Sequence, residues 1–187
     1  MNGLPAAQAR RLAERELSRE LPRRWAHSVG VAARAAEVGI LLGGKAGLLV
    51  AAAALHDVGY APRLAVTGFH PLDGARFLRD EHGVGERVTG LVANHSFALL
   101  EAEERGLRAE LAAEFPLPED PLLLDALVYC DMTTTPDGGR TTAQRRVAEI
   151  IGRYGADHVV GRFIRSAAPE IFSSVERIEV ALTAQPR

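Results

Sequence analysis

The sequence predicts an all-α fold, a single helical bundle, and three observations carry that prediction. Apolar residues recur at helical spacing along most of the chain. No pair of alternating segments around a hairpin turn and no internal repeat competes with that pattern. The 187 residues suit one ordinary domain. A chain of this size buries roughly 70% of its unfolded surface, so it needs neither disulfides nor a structural metal to fold.

Taken in order, residues 5–21 read as a charged, Ala/Leu-rich helix closed by Pro22, which cannot continue it. A second helix is expected over 23–42. One face carries Trp25, Val29, Ala32, Ala33, Ala36 and Ile40, and a second arc carries Val31, Ala35, Val38 and Leu42. Two apolar arcs suggest a central helix, ended by Gly43-Gly44. Residues 46–57 form a short, very apolar third helix running into His56-Asp57. A loop over 59–68 follows, and Pro71 opens a helix of about ten residues in its first turn. Further helices are expected over 84–95, over 97–113 after a break, and over 121–132. The TTTPDGG segment is a loop, Thr141 caps a helix over 142–154, and 157–182 holds one or two more helices. The expected organisation is an N-terminal helix over 1–22 packed on a core over 23–154, with C-terminal helices over 155–187 completing the same domain.

Charge and composition exclude several functions. Net charge is −2, which argues against a broad grip on a nucleic-acid polymer or an anionic membrane. Residues 101–120 are strongly acidic, either a solvated face or a lid. The apolar stretch from Val38 to Leu55 is broken by Gly43-Gly44-Lys45, so no membrane span is expected. The N-terminus lacks an apolar export segment, which points to a cytoplasmic protein. A lone Cys130 excludes an internal disulfide, a CxxC pair and a thiolate-rich zinc site. Any metal would be held by nitrogen and oxygen.

Two aspartates need explaining. Asp57 and Asp131 each end an apolar helical run, where an ionised carboxylate is costly unless paired or bound to metal. His56 precedes Asp57, and His27, His70 and His95 fall at other helix or loop edges. Ligands distributed over separate helices are what a metal site in a bundle core requires.

His27 in RRWAHSVGVA, His56-Asp57 in AAALHDVGY and Asp131 in ALVYCDM resemble the H…HD…D pattern of the HD-domain metal-dependent phosphohydrolases. The similarity runs from about Arg23 to Arg153. His70 in GFHPLDGARFL and His95 in VANHS resemble the longer H…HD…H…H…D pattern of the binuclear branch. That branch includes symmetric dinucleoside tetraphosphate hydrolases, cyclic dinucleotide phosphodiesterases and di-iron oxygenases. The resemblance implies an HD-domain bundle with one metal held by His27, His56, Asp57 and Asp131. It further implies that Asp57 bridges to a second metal on His70 and His95. Tyr60 departs from the glutamate of the short nucleoside monophosphatases and from the lysine of many binuclear members. The GYP signature of the cyclic dinucleotide branch is absent.

Imidazole and carboxylate ligands suit Mn, Fe, Co, Ni or Zn, and Mg is also compatible. With such ions, water serves as nucleophile, and Asp57 is the expected catalytic residue, as bridge and base. Arg24, one turn before His27, Arg63 in the loop after the dyad, and Asn94 beside His95 are the candidate substrate contacts. Arg76 is expected to point away, His82 competes with His70 from an exposed loop, and His158 reads as surface. The leading expectation is hydrolysis of a phosphate ester or anhydride on a small molecule, a nucleotide first among candidates. A di-iron oxygenase and a non-catalytic nucleotide-binding module are the alternatives. The sequence is compatible with a homo-oligomer.

Overall fold

Ten α-helices make up most of residues 4–185, the part of the chain described by a computed structural model. Among the described residues no strand forms, and one antiparallel bridge joins Thr134 to Arg140. Helix α1 (Ala6–Leu17) buries Ala9, Leu12, Ala13 and Leu17, a single stripe at helical spacing. It ends well before Pro22. That proline instead opens α2 (Pro22–Val38), where its missing N–H costs no helix bond and its fixed φ suits the first turn.

In α2 the buried face is His27, Ser28, Val31, Ala35 and Val38. The arc from Trp25 to Ile40 is half-buried or exposed, with Ile40 65% accessible. Alanines populate both arcs, so hydrophobicity alone did not identify the inner one. Two 3₁₀ turns, Gly39–Leu41 and Gly43–Lys45, lead into α3 (Ala46–Leu55). Helix α4 (His70–His82) follows a loop of short turns, and α5 (Glu86–Asn94) follows the left-handed Gly83. The expected helix over 97–113 divides into α6 (Ala98–Glu104) and α7 (Arg108–Glu114), with Gly106 at φ +72° between them. Helix α8 (Pro121–Met132) is capped by Asp120. Thr142, one residue beyond the expected cap, accepts from the Arg145 N–H and starts α9 (Ala143–Tyr154). The last helix, α10 (Val159–Thr183), is continuous despite Pro169.

Helix α3 is central because Ala51–Ala54 are all buried and let α1, α2, α5 and α8 pack around it. Helix α10 lies across α6, α8 and α9. No helix among the described residues is long and apolar enough to cross a membrane.

Two glycines bring separate segments together at the polar centre. A Cβ on Gly30 would stand 2.5 Å from the Gly138 carbonyl oxygen, so only glycine lets the 133–140 loop seat against α2. A Cβ on Gly59 would stand 2.1 Å from the His70 carbonyl oxygen. That contact clamps the turn after Asp57 onto the start of α4.

Candidate metal centre

Five elements bring four histidines and two aspartates into one buried cluster. His27 comes from the middle of α2, His56 and Asp57 from the end of α3, and His70 from the first position of α4. His95 follows α5, and Asp131 lies in the last turn of α8. Donor atoms of His27, His56 and Asp57 lie within 4.8 Å of one another, as do those of Asp57, His70 and His95. Either group could hold an ion, and Asp57 belongs to both.

The carboxylate of Asp57 divides between them. Its Oδ2 lies 3.4 Å from His56 Nε2 and 4.0 Å from His27 Nε2, while Oδ1 lies 3.4 Å from His70 Nε2. Asp131 borders the first group, with Oδ1 3.0 Å from His27 Nε2 and 3.9 Å from His56 Nε2.

Hydrogen bonds to backbone carbonyls assign the ring tautomers. A carbonyl only accepts, so the Nδ1–H of His27 donates to Thr135 O (2.9 Å). His56 donates likewise to Ala53 O (2.8 Å) and His95 to Val92 O (2.6 Å). In a neutral ring each Nε2 is then a bare lone pair. His56 Nε2 is buried with no hydrogen-bond partner. At His27 the lone pair faces a carboxylate oxygen, two acceptors that need a cation or a second ring proton between them. Backbone-oriented imidazoles converging on carboxylates are the arrangement metal-binding histidines adopt, and the thiolate-free donor set fits a divalent transition ion.

Burial pushes the His56 pKa down to about 4, despite the opposing pull of Asp57 and Asp131, so the ring is neutral near pH 7. Burial likewise takes His70 well below the usual histidine range. For Asp57, burial alone would favour the protonated acid. The Arg24 guanidinium, with help from the histidines, outweighs it and holds the carboxyl well below its usual range. Asp131 shows the same contest: burial opposes ionisation, and His27, His56 and Arg146 reverse it.

Arg24 reaches this cluster, donating from Nη1 to Asp57 Oδ2 at 2.7 Å. Its guanidinium carbon stands 3.9 Å over the Tyr60 ring, and Tyr60 stacks on His70 at 3.9 Å between centroids. Tyr60 thus fills the position after the dyad with an orienting plate between a cation and an imidazole. Burial raises its pKa, so the phenol stays neutral.

The other two candidate contacts lie elsewhere. Arg63 does not line the cavity over the cluster; it donates to Glu16 at 2.7 Å and packs on Phe77. Asn94 is buried, but its amide donates to the carbonyls of Gly90 and Phe115 (both 3.0 Å), joining α5 to the chain after α7. Arg76 points away, onto Glu110 and Glu114. His82 and His158 lie at the surface, the latter capping α10. Much of the acidic 101–120 segment is paired with arginines, among them Arg76, Arg79, Arg105 and Arg108.

Two kinds of neighbour were not foreseen. Ser96 donates from Oγ to Asp131 Oδ2 at 2.5 Å, held there by left-handed backbone at Ser96 (φ 49°) and Phe97 (φ 63°). Arg146, Arg153 and Tyr154 of α9 line the same cavity, a space of about 70 Å³ that opens onto Asp57, His70 and His95.

No curated protein and no solved structure gives a significant match to the chain. The pattern of the HD domain matches residues 24–132, from Arg24 to the residue after Asp131. That span contains all six clustered ligand candidates and more than half of the chain. The protein therefore belongs to the HD domain family, most of whose members are metal-dependent phosphohydrolases.

Proposed function

We propose that this protein hydrolyses a phosphate ester or anhydride of a small molecule, with nucleotides the leading class, using a binuclear centre on the six clustered residues. The observation that carries this reading is the divided Asp57 carboxylate, one oxygen toward His27 and His56 and the other toward His70. A second observation supports phosphate chemistry: Arg24, a donor suited to phosphoryl oxygens, stands at the cavity wall beside that carboxylate.

In this reading His27, His56, Asp57 and Asp131 hold one divalent ion, and Asp57, His70 and His95 hold the other. Such ions, when bound, supply an activated water and neutralise charge on the phosphoryl group. The chain's own residues do the rest. Backbone carbonyls of Ala53, Val92 and Thr135 keep the Nδ1 protons of three imidazoles away from the centre. Ser96 fixes one Asp131 oxygen, which leaves the other for the centre. Arg24 is positioned to exchange its bond to Asp57 for one to the substrate phosphoryl. Asp57 is the candidate base, because its carboxylate remains ionised and lies between both groups.

A metal-loaded preparation tested on a panel of phosphorylated compounds should release phosphate, and Asp57→Ala should abolish that release. No turnover of any member, with metal shown to be bound, would overturn the reading.

A further inference from the structure

The cavity over the cluster, at about 70 Å³, is far below the ~300–1,000 Å³ of an ordinary ligand site, so most of any substrate lies outside it. A second cavity of about 320 Å³ adjoins it, bounded by the start of α2, Pro136 and α9. Arg24, Arg146 and Arg153 line both spaces and form the partition between them. The second cavity has four arginines in its wall, with Arg23 as the fourth, against a single carboxylate, Glu20. Arg23 and Arg24 are paired with Asp137 and Asp57, so Arg146 and Arg153 are the two guanidinium groups left to meet a ligand's charge.

Arg146 and Arg153 lie seven positions apart on α9, two turns along one face. Both pair with one carboxylate, Glu149, whose Oε1 is 3.3 Å from Arg153 Nε and whose Oε2 contacts Arg146 Nη1. Glu149 is the one carboxylate in direct ion-pair contact with either guanidinium group. The Arg146 side chain is only 6% exposed, and its Nε is buried with no acceptor. A buried guanidinium donor without a partner is costly in a finished structure. The side chain that carries it lines both spaces. Glu149 is more than a third exposed, so its carboxylate can leave for solvent at little cost.

We infer that Arg146 and Arg153 form a second anion subsite, which takes a phosphoryl group next to the one presented to the metal centre. Glu149 occupies it when no substrate is bound. The dianionic charge and three acceptor oxygens of a phosphoryl group satisfy two guanidinium forks better than one carboxylate does. The substrate class is accordingly a compound with at least two phosphoryl groups in a chain, rather than a simple monoester. This rests on the hydrolase reading for the role of the first phosphoryl group. The subsite itself belongs to α9, beyond the residues that match the family pattern.

The test is calorimetric titration of the full, manganese-loaded chain with inorganic pyrophosphate and with orthophosphate, metal content being checked after each run. Wild-type protein should bind pyrophosphate at least about tenfold more tightly than orthophosphate. Arg146→Gln with Arg153→Gln should remove that preference while changing orthophosphate affinity less than about threefold. Glu149→Gln, a change at a partly exposed position that should fold, should tighten pyrophosphate binding by about threefold or more. Equal affinity for the two anions in wild type, or no tightening in Glu149→Gln, overturns the subsite. Pyrophosphate preference with no turnover of any phosphorylated compound would sink the hydrolase reading and leave the subsite standing. Turnover without that preference would do the reverse.

Discussion

His70 Nε2 lies 3.1 Å from His95 Nε2, two ring nitrogens facing each other across the second group. His95 commits its Nδ1 proton to Val92 O, so its Nε2 is an acceptor and the proton between the rings belongs to His70. For both Nε2 atoms to become ligands, that proton must move to His70 Nδ1 or leave. In the proposed binuclear centre these two nitrogens would be ligands to one ion. Asp57 Oδ1, 3.4 Å from His70 Nε2, is the third corner.

Arg24 is the cation paired with the buried Asp57 carboxylate, at 2.7 Å. Arg24→Ala leaves a buried carboxylate without its nearest charge, a loss on the order of 3 kcal/mol of stability. Divalent ions at Asp57 replace that charge, so the deficit should shrink after metal loading. Urea denaturation with and without manganese checks this. An equal loss in both states would show that Arg24 acts only in packing.

Ser96 positions Asp131. Ser96→Ala removes the 2.5 Å bond to Oδ2 and frees the carboxylate to rotate. Loss of such a supporting contact costs about 10–100-fold in metal affinity. Competition with a chromogenic chelator gives the value, and unchanged affinity would make Ser96 merely a turn residue.

Gly30 is where α2 admits the loop that orients His27. An alanine Cβ would meet the Gly138 carbonyl oxygen at 2.5 Å and its Cα at 2.6 Å, backbone that cannot rotate away, and Thr134 Cγ2 at 2.8 Å. Gly30→Ala should destabilise the protein by about 1–3 kcal/mol. It should also weaken metal binding, because the Thr135 carbonyl that fixes His27 Nδ1 moves with the loop. Thermal melting and the same chelator assay read the two effects, and a fully stable variant with normal affinity would contradict the account.

The metal-free protein should lose stability as pH falls from about 6.5 toward 4. Burial depresses the His56 pKa from 6.5 to about 4, so across that window the unfolded chain takes up a proton that the folded chain refuses. The unfolded state binds more protons, hence stability rises with pH. The total from His56 is on the order of 3 kcal/mol, and the lowered His70 adds the same sign. Asp57 and Asp131, held below their usual range, contribute stability that is present above about pH 4 and lost at more acid pH. Denaturant midpoints measured along a pH series test this. The slope should flatten in His56→Gln, and a pH-independent midpoint in wild type would contradict the assignment of a neutral, buried ring.

Asp57 and Asp131 are legible because each ends an apolar helical run, as Asp131 does after Leu127 and Val128, whereas His70 and His95 stand out through the spacing of the longer family pattern. The bounds of α8 follow from Pro121 at its start, where proline is favoured. Pro22 opens α2 rather than closing the helix before it, because proline can end one helix or start the next and α1 already stops at Leu17. Ser96 left no signal, since its role depends on left-handed backbone that a serine seldom adopts. Arg146 and Arg153 looked like any charged residues of an amphipathic helix. They line the cavity together with Val160, Phe163 and Ile164 of α10, which packs on α9. Arg63 and Asn94 stand close to ligands in sequence, yet adjacent residues on a helix or turn point in different directions, and both serve the scaffold.

In the proposed binuclear centre, Asp57 is shared by two ions. Metal content per chain, measured by elemental analysis of protein prepared without chelator and loaded with manganese or iron, tests it most directly. Two ions per chain are expected in wild type and at most one in His70→Ala with His95→Ala. A wild-type protein that takes up one ion or none under every loading condition would contradict it.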